Sequence, residues 1–287
     1  MAERKSAFPD NASGDFFVDR NCIDCETCYT LAPEVFADAG GHSRVQRQPA
    51  TPAEKLRARM ALVACPTAAI GSHDRGGMAA AATAFPATIE DEVSFCGYTS
   101  PKSYGAWSYF IERKAGNVLV DSPRAAAPLL RRLEERGGVS LLVLSHRDDV
   151  ADHARIHARF GCDRLMHEGD GLRGLERYVV GDEPVALADD LLAIPTPGHT
   201  PGSLCLLYRR TFLFTGDHLW WNPERGMLSA SRSFNWYSWD EQLRSIERLL
   251  AFDFAHVLPG HGRTFRAGSP ALMRSEVERA LARLRAA

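Results

Sequence analysis

The chain has 287 residues, room for two domains of roughly 100–200 residues and a sizeable core. Hydrophobic residues make up 45% and charged residues 24%, which excludes a disordered chain. Lys+Arg number 34 against Asp+Glu 36, a net charge of −2, without the basic footprint of a nucleic-acid binder. No apolar run reaches the roughly 18–20 residues of a membrane span. The start, Met1 to Asp10, lacks the apolar core of a signal peptide. The expectation is a soluble, cytoplasmic protein with neither nucleic acid nor membrane as partner.

In chain order, Asp15–Asp19 reads as a strand, Pro33–Phe36 as one helical turn and Ser43–Gln46 as a strand. A helix begins at Thr51, where Thr51, Pro52 and Glu54 spell a capping box and Leu56, Met60 and Val63 an apolar stripe. Cys65-Pro66 ends it. Gly76–Pro86 is rich in alanine and glycine with no apolar period, and reads as part of a linker. The division is therefore residues 1–75, a linker at 76–88, and 89–287. Beyond the linker, Val93–Cys96, Trp107–Ile111 and Asn117–Asp121 read as strands. Pro128–Arg136 is an amphipathic helix stopped by Gly137-Gly138, and Val139–Leu144 a strand buried on both faces. Asp152–Phe160 reads as a helix, Pro184–Thr215 as a second strand-rich stretch, and Ser238–Ala251 and Pro270–Arg285 as helices. Two sheets flanked by helices is the architecture this order suggests.

Four of the seven cysteines lie in the first quarter. Cys22, Cys25 and Cys28 spell C-x₂-C-x₂-C, and a remote Cys65-Pro66 adds a fourth thiolate. Three closely spaced thiolates on a tight loop can take three corners of a cubane, the fourth coming from elsewhere. Zinc sites usually present two pairs instead. The segment resembles single-cluster bacterial ferredoxins, the Pro33–Phe36 turn and the Cys65–Ile70 ending included. Where two-cluster relatives carry another cysteine this chain has Ala32, so the resemblance implies one [4Fe–4S] cluster on Cys22, Cys25, Cys28 and Cys65. Cys96, Cys162 and Cys205 read as small buried hydrophobes.

Four strings in the larger segment place imidazoles and carboxylates at strand ends or in Gly/Pro loops. They run from His146 through Asp148, Asp149 and Asp152 to His153, from Thr196-Pro-Gly to His199, Gly216-Asp217, and Gly260-His261-Gly262. Such positions converge at one rim of a sandwich, where ligands can be held rigidly. Together the strings resemble the metallo-β-lactamase superfamily over most of residues 89–287. The fold implied for the chain is α+β, a ferredoxin-like domain followed by a metallo-β-lactamase αββα sandwich. By motif position the resemblance assigns His146 and His199 to one metal, Asp152, His153 and His261 to another, and Asp217 between them, with Asp152 and Asp217 as the catalytic carboxylates. One departure stands out. The family's H-x-H-x-D-H motif has a second histidine where this chain has Asp148, and two extra residues before His153. Asp148 or Asp149 can serve as an oxygen ligand, as a glutamate does in the similar flavodiiron branch.

Trp220-Trp221 and Trp236-Tyr-Ser-Trp239 concentrate four of the five tryptophans after Asp217; core packing is the simpler role for them, a pocket wall or a dock for the ferredoxin segment the alternatives. Loops Thr99–Ala106 and Trp220–Ser233 are the expected carriers of specificity. Joining a cluster to a metal site suggests an oxidoreductase, in which a soluble donor reduces the cluster and the cluster feeds a mono- or di-iron site acting on a small molecule. The alternatives are a zinc-dependent hydrolase with a structural or sensing cluster, and a non-catalytic redox sensor.

Overall fold

The computed structural model describes residues 2–286. Two compact units divide it: one takes in residues up to Ser140 together with Ala151–Gly161, the other Leu141–Val150 and everything from Cys162 onward.

In the first unit, the cysteine-bearing segment closes on its own core. The strands Phe17–Val18 and Ile70–Gly71 pair antiparallel, as do Phe36–Asp38 and Ser43–Val45. Around them Phe16, Val35, Phe36, Val45, Ala58 and Ala61 are buried in one cluster. The helix Pro52–Ala64 starts as expected: Thr51 Oγ1 accepts from Glu54 N while the Glu54 carboxylate accepts from Thr51 N. A helix at Thr27–Leu31 was not legible, being one turn long and carrying a cysteine. Pro33–Phe36 forms a turn leading straight into a strand.

The stretch read as a linker is ordered: Met78–Thr83 is a helix, with Ala81 buried, and Ala87–Glu90 is already a strand. Alanine lacks a charge pattern but has the highest helix propensity, so a run of it folds wherever one side finds a surface. By compactness these residues group with everything up to Ser140. The antiparallel strands Ala87–Glu90, Val93–Phe95, Tyr109–Ile111 and Val118–Val120 belong with the cysteine segment. Three hydrogen bonds fasten them: Thr99 Oγ1 to Ala64 O (2.7 Å), Arg124 to Val63 O (3.1 Å) and Thr27 Oγ1 to Gly105 O (3.4 Å).

In the second unit, Leu141–Val143, Asp163–His167 and Arg177–Val179 run parallel. A six-stranded mixed sheet follows, its middle strands Leu191–Pro195, Leu204–Tyr208, Phe212–Gly216 and His256–Pro259. One face of it, including Ile194, Leu207, Leu213 and Val257, packs with Ile246, Met273, Val277 and Leu281 of the helices Trp239–Arg248 and Pro270–Arg285. The other face, with Leu206, Tyr208, Phe212 and Phe214, is buried too. A sheet covered on both faces is an inner layer, which is why its strands read as near-continuous apolar runs. Among the described residues no helix is long and apolar enough to cross a membrane.

Candidate metal centre and cluster pocket

The second unit brings the ends of four apolar strands and their loops together. His146 follows the strand Leu141–Val143, His199 follows Leu191–Pro195, Asp217 follows Phe212–Gly216, and His261 follows His256–Pro259. His146 Nε2 lies 3.7 Å from Asp217 Oδ2 and 3.9 Å from Asp149 Oδ2. His199 Nε2 lies 3.5 Å from Asp148 Oδ2 and 3.8 Å from Asp217 Oδ2. His261 Nδ1 lies 2.8 Å from Asp217 Oδ1. Two triads, His146–Asp148–His199 and His146–Asp149–Asp217, each have one ligand atom apiece within 4.8 Å of the others.

Glycines permit the crowding. A Cβ on Gly260 would sit 2.7 Å from Asp149 Oδ2 and 3.0 Å from Asp217 Oδ1, so the backbone there supports both carboxylates directly. Behind the ligands, Ser145 Oγ lies 2.9 Å from His146 Nδ1, leaving Nε2 for the centre. Asp170, which the sequence did not single out, takes Arg147 N (2.7 Å), Thr200 Oγ1 (3.0 Å) and Gly202 N (2.8 Å). It thereby ties the His146 loop to the His199 loop. No motif marked it, because its neighbours, Gly169 and Gly171, resemble any turn.

The electrostatics suit cations. Burial lowers the His146 pKa, keeping its imidazole neutral and able to ligate. The His199 imidazole beside Asp148 holds that carboxyl below the usual range. Burial works to raise Asp217, but the imidazoles of His261, His146 and His199 outweigh it and leave the carboxyl well below its ordinary value. His146 Nε2 and His199 Nε2 are buried and make no hydrogen bond, a costly state that a bound cation relieves. Three imidazoles and three carboxylates fit one or two divalent ions.

Asp152 and His153 join neither triad among the described residues. Asp152 belongs to the first unit, where Oδ1 accepts from Lys102 Nζ (2.8 Å) and Oδ2 from Ala125 N (3.0 Å). Both oxygens are spent on holding chain segments together. With the two additional residues, Asp152 falls at the N-cap and His153 at the first position of the following helix, His153–Phe160. Asp149, on the short 3₁₀ turn Arg147–Asp149, stands beside Asp217 instead. His218 is buried with neither ring nitrogen hydrogen-bonded, and burial lowers its pKa to about 3.

In the first unit Cys22, Cys25, Cys28 and Cys65 line one pocket with Val18, Ala69 and Ile70. Backbone N–H groups of Asp24 and Ser43 point at Cys22 Sγ (3.4 and 3.3 Å), and that of Ala69 at Cys65 Sγ (3.3 Å). Burial pushes the Cys25 thiol up to about 11 and Cys28 higher still. Neither ionises readily unaided, whereas bound iron supplies the compensating charge. Four inward thiols in an apolar pocket with amide donors on the sulfurs fit an iron–sulfur cluster.

Comparison with known proteins agrees with this geometry. Residues 18–72 match the 4Fe-4S single cluster domain of ferredoxin I. The chain is 31% identical over 153 residues to a hydroxyacylglutathione hydrolase of Rhizobium meliloti (strain 1021), covering 50% of this chain and 57% of that protein. It is 34% identical over 126 residues to the enzyme of the same name from Anaeromyxobacter dehalogenans (strain 2CP-C), covering 42% and 49%. The chain spans about half the length of the curated relatives it matches. Among solved structures, DIM-1 metallo-β-lactamase superposes with a TM-score of 0.51 at 14% identity, covering 67% of this chain and 95% of that one. VMB-1 gives 0.50 at 13%, with the same coverage. The fold these structures share with the chain is that of the metallo-β-lactamases. Two likenesses thus meet in one chain, a single-cluster 4Fe-4S domain at residues 18–72 and the metallo-β-lactamase fold over 67% of its length.

Proposed function

We propose that the chain is a metal-dependent hydrolase of ester or thioester bonds. In this reading the ions are held by His146, Asp148 and His199 on one side and by Asp149 and His261 on the other, with Asp217 shared. The observation that carries it is the pair of buried, hydrogen-bond-free His146 and His199 Nε2 atoms facing three carboxylates. The relatives' name, hydroxyacylglutathione hydrolase, supports the reaction class.

Ions bound there would bring the pKa of a water toward ~7 and polarise the scissile carbonyl. The chain's own part is positioning. Ser145 and Asp170 fix the two histidine loops, so the ligands meet substrate without rearrangement. The depressed Asp217 carboxyl is a poor proton acceptor and serves as a fixed negative charge. Asp148, with its side chain 43% exposed, borders the open side where substrate enters.

A second reading, an iron oxidoreductase fed by the cluster, draws support from one feature. Asp148 supplies oxygen where the family has an imidazole, and oxygen-rich ligand sets suit iron. Metal analysis of anaerobically purified protein, with hydrolysis of a hydroxyacylglutathione thioester, separates the two. Hydrolysis that survives cluster loss in Cys25→Ala and disappears in His199→Ala supports the hydrolase. An iron-only centre with no thioester turnover, reducible through the cluster, overturns it.

A further inference from the structure

Beside the metal centre lies an apolar feature that ion binding does not explain. Phe234, Trp236 and Tyr237 are 65%, 57% and 55% exposed, three large aromatics in four consecutive positions. Single exposed aromatics are ordinary, but a contiguous set marks a contact surface. Trp220, Trp221 and Trp239, by contrast, pack against the core as expected.

The segment is pinned to the turn that supplies His199. Trp236 N donates to His199 O (2.9 Å), Ser238 N to Gly198 O (3.0 Å), and Asn235 Nδ2 to Gly198 O (2.9 Å). Asn235 Nδ2 also donates to Gln242 Oε1 at 2.5 Å. Gly198, at φ +155°, leaves no slack: a Cβ there would lie 2.4 Å from Gln242 Cα. The Trp236 ring centroid stands 6.3 Å from the His199 imidazole, and that of Phe234 stands 6.4 Å from Trp236. Stacked and edge-on partners prefer centroid separations of about 4.5–7 Å, so a flat group reaching Trp236 is already at the ligand histidine.

We propose that Phe234, Trp236 and Tyr237 form an aromatic lip that binds the planar, apolar acyl group of an ester or thioester presented at His199. This rests on the hydrolase reading and adds its substrate class. Three aromatic side chains on this pinned segment offer a patch suited to one ring or short apolar chain, far below the ~800 Å² a stable protein partner covers. A loop already fastened loses little entropy when it binds. A small acyl group such as acetyl would leave the lip in water.

The test uses the full-length protein with its cluster and ions, and two product acids as probes, phenylacetate and acetate, titrated by calorimetry. Wild type is expected to prefer phenylacetate, and Trp236→Ala to cut that preference about five- to twentyfold with bound metal unchanged. Trp236→Phe should keep most of it. The KM of a phenylacetyl thioester should rise relative to that of an acetyl thioester by the same factor in Trp236→Ala, with little change in the ratio of kcat values. No preference in wild type, or a preference untouched by both Trp236→Ala and Phe234→Ala, overturns the proposal and leaves the aromatics to a macromolecular partner. A preference lost in Trp236→Ala by a protein that cleaves no ester or thioester upholds the lip and removes the hydrolase reading.

Discussion

Gly105 lies against Cys25 so closely that a Cβ on it would sit 2.6 Å from Cys25 Cβ and 2.9 Å from Cys25 Sγ. Its φ of +87° is a second reason for glycine. The loop Thr99–Ala106, expected to carry specificity, thus presses its backbone onto a cluster cysteine and contacts Pro66 as well. Gly105→Ala must push the loop or the thiol aside, and the expected result is a protein with less iron and acid-labile sulfide and faster bleaching in air. Full cluster content with unchanged air stability would show that the contact has no such role.

The Asp149 carboxylate stands beside Asp217, whereas Asp152 accepts from Lys102 and Ala125. Asp149→Asn should lower bound metal at the hydrolytic centre by up to one ion per chain while iron and sulfide of the cluster stay constant. Asp152→Asn should leave the metal content intact. It should lower stability by about 1–3 kcal/mol, since Lys102 and Ala125 lose a buried charged acceptor. Metal quantitation with a denaturant melt reads both; equal metal loss in the two variants would restore Asp152 to the ligand set.

Asp170 holds the histidine loops in register through three hydrogen bonds. Asp170→Ala removes every acceptor, and supporting groups of this kind typically cost about 10–100-fold in metal affinity. Competition with a chelator of known affinity measures the change. Affinity within twofold of wild type would mean the loops are held by packing alone.

Glu176 gives the acid limb of stability a specific source. Its hydrogen bonds from Arg164 lower its pKa to about 2, against an opposing effect of burial. A carboxyl depressed in the folded state contributes above its unfolded value, ~4.3, and loses that contribution as pH falls toward the folded one. With the pair partly exposed, the contribution is on the order of 1 kcal/mol. Glu176→Gln should therefore be less stable than wild type at pH 7, and the gap should narrow steadily below about pH 4.5. A gap independent of pH would assign the loss to packing.

Much of this protein is determined locally and can be read from the chain. The C-x₂-C-x₂-C run and Cys65-Pro66 announce a cluster, and Thr51, Pro52 and Glu54 start a helix by their own hydrogen bonds. His146, His199, Asp217 and His261 are legible because each sits where an apolar strand meets a Gly/Pro loop, and strand ends are where a layered sheet gathers ligands. Other features needed the third dimension. That Asp149 stands beside Asp217 depends on the 3₁₀ turn Arg147–Asp149, which the residue spacing does not announce. Asp170 acquires its role only when two loops distant in sequence, at Arg147 and Thr200, lie within reach of one carboxylate. The alanine run at Met78–Thr83 folds because it found a surface, and Gly105 matters because Cys25 lies against it. Hydrogen bonds along the backbone are specified by neighbours in sequence, but burial and contact belong to neighbours in space, and composition alone does not name those.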